Sequence, residues 1–154
     1  MSTATPAYVA IGANLGDAQA TVRRAMDDLA ALPRTRLAAR SSLYRTAPFE
    51  AQGPDFINAV VELRTGLDPL TLLAELQRLE AEAGRERPYR NAPRTLDLDL
   101  LRHGDTTMHS AVLTLPHPRM DERAFVLLPL AEIAPALVTP NQLAQVAGQR
   151  IERI

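Results

Sequence analysis

Between Thr95 and Leu101 the chain reads TLDLDLL, a strict alternation of leucine and aspartate. Few short sequences restrict folding more. A helix would scatter these side chains around its axis, whereas a β-strand sends alternate residues to opposite faces. As a strand, the segment buries Leu96, Leu98 and Leu100 on one side and presents Asp97 and Asp99 together on the other, about 6.5–7 Å apart along the strand. Aspartate is disfavoured in strands, and two on one face repel unless a cation neutralises them. Taken alone, the pair reads as a solvated polar stripe. Its functional reading is a platform for Mg²⁺, which takes one or two carboxylates and completes its shell with phosphate oxygens and water.

The residues before this strand favour the functional reading. RERPYRNAPR (85–94) holds Arg85, Arg87, Arg90 and Arg94 against the single acid Glu86. Guanidinium forks match phosphate oxygens, and a loop this long between a helix and a strand suggests a mobile functional segment. Arginines running directly into paired carboxylates suit polyphosphate chemistry. A further basic segment, LPHPRMDERAF, holds His117 between two prolines, followed by Arg119 and Arg123.

The remaining pattern supplies a scaffold. AYVAIGA (7–13) alternates as a strand, Asp17 is placed to cap a helix with Val22, Ala25, Met26, Leu29 and Leu32 inward, and Pro33 stops it. Residues 35–46 read as a second strand and 47–54 as a loop. In a third strand, 55–65, Phe56, Asn58, Val60 and Glu62 share one face. Asp68-Pro69 opens a second helix bearing Leu72, Leu73, Leu76 and Leu79, with Gly84 as its C′ residue. After TLDLDLLRH and a short extended piece at 111–117, a helix is expected from about Asp121, kinked or divided at Pro129, with a short helix near 143–147. The order β-α-β-β-α-β suggests an α+β, ferredoxin-like sandwich: a mainly antiparallel sheet with helices on one face. GANLG before the first helix fits neither the dinucleotide fingerprint nor the P-loop and reads as a tight turn.

Composition narrows the chemistry. The 154 residues suit one domain spanning 1–154 that looks complete alone. The net charge of −1 argues against a nucleic-acid partner, and no apolar run reaches membrane-spanning length. Cysteine is absent and all 17 basic residues are arginine, which removes thiol chemistry, lysine Schiff bases and a Walker lysine. With no secretory signal, a cytoplasmic location is expected.

Taken together, AYVAIGANLGD, SSLYRTAPFEAQGPDFINAVVEL, LQRLEAEAGRER, APRTLDLDLL and LTLPHPRMDERAFVLLPLAEIAP resemble the 6-hydroxymethyl-7,8-dihydropterin pyrophosphokinases of folate biosynthesis, over about residues 7–140. The resemblance implies transfer of the β,γ-pyrophosphoryl group of ATP to the dihydropterin hydroxymethyl oxygen, with AMP leaving. It implies two Mg²⁺ ions held by Asp97 and Asp99, with Arg85 and Arg94 as phosphate-engaging loop residues. Gln77, Glu80, Arg87, Arg94, Leu100, His117 and Arg123 match ATP-site positions. Thr46, Ala47 and Phe49 match the loop at the pterin edge, Phe56 and Phe125 match the rings that sandwich the pterin, and Asn58 matches the side chain that reads its amide edge. Asn91 and Pro118 stand where relatives often carry aromatics, and Ala47 where proline is common. Small-molecule substrates and a monomer are expected. The competing reading is a non-catalytic ferredoxin-like module for RNA or a small regulator, which would have no need of the two aspartates.

Overall fold

The structure is a computed structural model, and it describes residues 4–47, 54–84 and 96–154. The Phe49, Arg85, Arg87 and Arg94 expectations lie outside the described residues.

Strand β1 (Thr5–Ala13) is hydrogen-bonded antiparallel to β4 (Phe56–Thr65) on one side and to β5 (Asp97–His103) on the other. The other long edge of β4 is occupied by β2 (Thr35–Arg40) and β3 (Tyr44–Thr46), lying end to end. The expected single strand over 35–46 is therefore two. Buried Ser41 bridges the break: its N–H donates to Val60 O at 2.9 Å and its hydroxyl accepts from Val60 N–H at 3.0 Å. A terminal strand not foreseen in the sequence, β8 (Ile151–Arg153), pairs with β3. The sheet order is β5-β1-β4-β3-β8, with β2 also on β4. A two-stranded hairpin, β6 (Met108–His109) with β7 (Thr114–Leu115), lies apart from it.

Helix α1 (Ala18–Ala30) starts where Asp17 Oδ1 accepts from Ala20 N–H. Helix α2 (Pro69–Ala83) starts with Asp68 accepting from Thr71 N–H, and its first residue is proline, which has no N–H to leave unsatisfied. Gly84 caps α2 with φ −87°, outside the left-handed conformation expected of a C′ glycine. Both helices pack on one face of the sheet. Val22, Met26, Leu29, Leu72, Leu76 and Leu79 join Val9, Ile11, Ala59, Val61, Leu63, Leu98 and Leu100 in one buried cluster.

Helix α3 (Ala124–Ile133) covers the opposite face, where Val126, Leu127 and Leu130 meet Ala10, Val60 and Leu101. The expectation of helices on one face is thus corrected. Residues 124–133 are apolar on nearly every side, so their periodicity did not say which sheet face they cover. A single 3-10 turn, Met120–Glu122, replaces the expected start near Asp121, and α3 runs unbroken through Pro129. Helix α4 (Pro140–Gln145) starts three residues earlier than expected, because Thr139 and Gln142 form a reciprocal capping box. Among the described residues no helix is long and apolar enough to cross a membrane.

Candidate active site

The α3 side of the sheet does not pack shut. Beside the N-terminus of α3 the sheet carries small side chains: Ala10 and Gly12 on β1 line a cavity of about 650 Å³. Registration explains its wall. Gly12 stands between Asn58 of β4 and Asp97 of β5, and Ala10 between Val60 and Asp99. Cross-strand neighbours are about 4.5–5.5 Å apart, so the glycine leaves a gap with an amide on one flank and a carboxylate on the other. A Cβ on Gly12 would lie 3.3 Å from Asn58 Oδ1. This glycine, read in the sequence as half of a tight turn, is part of the cavity floor; the turn itself belongs to Gly16, with φ +59°.

Asp97 and Asp99 both line the cavity, half-buried, and Leu96, Leu98 and Leu100 fill the α1/α2 side, as the alternation requires. Among the described residues no three histidines or carboxylates converge as a metal cage. What the chain offers is two carboxylates on one strand face, open to a cavity.

On the other flank Asn58 is 4% exposed, and its Nδ2 donates to Thr46 Oγ1 at 2.9 Å. That bond fixes the side-chain rotation and leaves the amide oxygen as an acceptor near Gly12. Phe56 and Phe125 line the same cavity from β4 and α3, with Thr46 and Ala47 at its edge. Arg123 lines it too, its guanidinium carbon 5.4 Å from the Phe125 ring centroid, within cation–π range.

Four sequence candidates do not line the cavity. Leu100 lies in the α1/α2-side core. Gln77 is exposed on α2. Glu80 accepts from Leu98 N–H at 2.8 Å, satisfying the backbone of β5 midway between the two aspartates. His117 is half-buried, its backbone N–H donating to Leu101 O at 2.9 Å and its ring Nδ1 accepting from Arg119 N–H at 3.2 Å. Burial pushes its imidazolium below the usual histidine range; Asp99 pulls it back up, and Arg123 and Arg119 push it down.

The sequence reading missed several wall residues: Ile11, Glu122, Ala124, Gln149 and Arg150. Glu122 sits in a segment already marked as basic. Gln149 and Arg150 carried no local signal, since only the return of the chain through β8 brings them to the cavity.

An antiparallel sheet flanked by helices, with a cavity on one face that brings two aromatic rings and a buried amide together with carboxylates and arginines, defines a class of α+β proteins with an open, mixed aromatic and charged site. Comparison with known proteins makes this specific. The family model of 7,8-dihydro-6-hydroxymethylpterin-pyrophosphokinase matches residues 8–135. A 2-amino-4-hydroxy-6-hydroxymethyldihydropteridine pyrophosphokinase of Pseudomonas aeruginosa is 47% identical over 135 residues, covering 87% of this chain and 83% of the relative. The protein of the same name from Haemophilus influenzae is 45% identical over 136 residues, covering 88% and 85%. A folic acid synthesis protein of Schizosaccharomyces pombe is 37% identical over 135 residues, 87% of this chain but 18% of that protein. Among solved structures, a Plasmodium falciparum HPPK-DHPS with pteroate aligns with a TM-score of 0.67 over 84% of this chain and 40% of that one, at 14% identity, a likeness of fold. This chain therefore spans about two-fifths of that solved chain.

The chain belongs to the 7,8-dihydro-6-hydroxymethylpterin-pyrophosphokinase family. That membership does not favour the binding-module alternative.

Proposed function

We propose that this protein transfers the pyrophosphoryl group of ATP to the hydroxymethyl group of 6-hydroxymethyl-7,8-dihydropterin, releasing AMP, as a step of folate biosynthesis. The observation that carries this reading is one cavity whose wall joins Asp97 and Asp99 to Phe56, Asn58 and Phe125. Family membership supports the same chemistry. The sheet order and helix placement support the ferredoxin-like reading of the fold, and a cytoplasmic location suits the small-molecule substrates.

The pterin ring stacks between Phe56 and Phe125, and Asn58, held by Thr46, reads its lactam edge. This places the hydroxymethyl group toward the aspartate side. The hydroxyl oxygen attacks the β-phosphorus in line, the bond from that phosphorus to the α,β-bridging oxygen breaks, and AMP leaves carrying that oxygen. The hydroxyl proton passes to water or to a cavity carboxylate. Arg123 adds positive charge from the α3 side, and Arg85 and Arg94 act from the 85–94 segment.

Asp97 and Asp99 suit Mg²⁺: both are half-buried on one strand face, and two carboxylates leave the remaining coordination to phosphate and water. When bound there, Mg²⁺ supplies charge neutralisation of the triphosphate and lowers the pKa of a coordinated hydroxyl.

The test is product analysis with ATP, Mg²⁺ and the dihydropterin. AMP, not ADP, accumulates with wild type. Asp97→Asn and Asp99→Asn each lower AMP formation by about a thousandfold or more. Turnover within a few-fold of wild type in either variant would sink the assignment.

A further inference from the structure

The family match ends at residue 135, yet the chain beyond it returns to the cavity. Helix α3 begins without a side-chain cap of its own: Arg123 occupies the cap position and makes no capping bond. Gln149 fills that role from the tail. Its Oε1 accepts from Ala124 N–H at 2.9 Å, and its Nε2 donates to Glu122 O at 2.7 Å. One partner is a donor only and the other an acceptor only, so this amide orientation is the one that satisfies both. The two bonds grip the backbone on either side of Arg123. Arg123 and Phe125, one and three residues past Glu122, line the cavity and lie against each other.

The tail is itself anchored. Its Thr139–Gln142 capping box opens α4, Gln142 Nε2 donates to Asp121 Oδ1 at 2.7 Å, Val146 is buried against the α3 core, and β8 is paired with β3. Gln149 therefore acts from a fixed support.

We propose that Gln149 is a positioning residue for this site, clamping the Glu122–Ala124 backbone so that Arg123 and Phe125 present a preformed wall to the substrates. The inference rests on the proposed pyrophosphokinase reading for its kinetic consequence. Gln149 supplies no reacting group; it holds the groups that contact substrate.

The test compares Gln149→Leu, similar in volume but unable to make either bond, with Gln142→Leu, which loosens the same tail at a residue outside the cavity wall. Gln149→Leu is expected to raise the dihydropterin Kd, read from pterin fluorescence, and its KM about tenfold with kcat changed little. Gln149→Glu keeps the acceptor for Ala124 N–H, loses the donor to Glu122 O, and falls between wild type and Gln149→Leu; it serves as the readout if Gln149→Leu does not fold. Gln142→Leu lowers thermal stability and leaves KM at its wild-type value. Equal KM and Kd for Gln149→Leu and wild type, or equal shifts in Gln149→Leu and Gln142→Leu, would overturn the proposal. Hydrogen exchange at the Ala124 amide, followed by NMR without substrate, speeds up in Gln149→Leu if the clamp exists. That measurement separates failure of the clamp from failure of the functional reading, which would show as wild type forming no AMP.

Discussion

Gly12 shows how a single missing side chain makes a site. It is extended within β1, so it is not there for a left-handed turn; Asn58 and Asp97 flank it, and under the proposed function the pterin takes the space between them. Adding one methyl in Gly12→Ala crowds Asn58 Oδ1 at 3.3 Å. The expected outcome is a folded protein with pterin KM raised about tenfold, measured beside the thermal midpoint. Asn58 and Phe56 were legible as a pair because residues two apart on a strand share a face. Gly12 was not, because only pairing register reveals what stands beside it.

The position of α3 depends on both its ends. Gln149 holds the first, and Glu132 holds the last. Glu132 accepts from Ser42 N–H at 3.0 Å, Ser42 Oγ at 2.8 Å and Tyr44 OH at 2.8 Å, with Arg153 at 3.4 Å, tying α3 to β3 and β8. Burial alone would push the Glu132 carboxyl up, but the bonds from Tyr44 and Ser42 and the charge of Arg153 outweigh it and hold it below its ordinary value. Burial, together with the bond to Glu132 and its charge, pushes the Tyr44 phenol up to about 12. The two signs differ in their pH windows. The depressed carboxyl stabilises the fold above its unfolded pKa, and that contribution is lost as pH falls through the folded value. The raised phenol is fully stabilising below its ordinary value of 10.0 and loses this as pH rises toward 12. Urea midpoints across pH should therefore fall at both extremes. Glu132→Gln flattens the acid limb and Tyr44→Phe the alkaline limb; unchanged limbs in both variants would refute the assignment. The sequence placed α3 roughly but could not orient it, since a helix apolar on nearly every side carries no facing information.

The whole molecule divides its labour between the two faces of one sheet. One face, under α1 and α2, is sealed by leucine and serves stability; the other, under α3, is only partly sealed and holds the cavity. Truncating a fully buried residue in either core should cost about 2–5 kcal/mol. Leu76→Ala, in the sealed core, is expected to lower the urea midpoint and leave both KM values intact. Leu127→Ala, beneath α3, should lower stability similarly and raise the pterin KM as well, because it loosens the element that carries Phe125. Equal kinetics in the two variants would show that the faces are not separable. By itself the sequence determined the strands β1, β4 and β5, the caps at Asp17 and Asp68, the outward pair Asp97 and Asp99 and the inward leucines, because period, capping and alternation are local physics. Tertiary structure alone decided that Gly12 separates an amide from a carboxylate, that α3 lies opposite α1 and α2, and that Gln149 reaches Ala124. Those relations join residues far apart in the chain, and only register, packing and chain return bring them together.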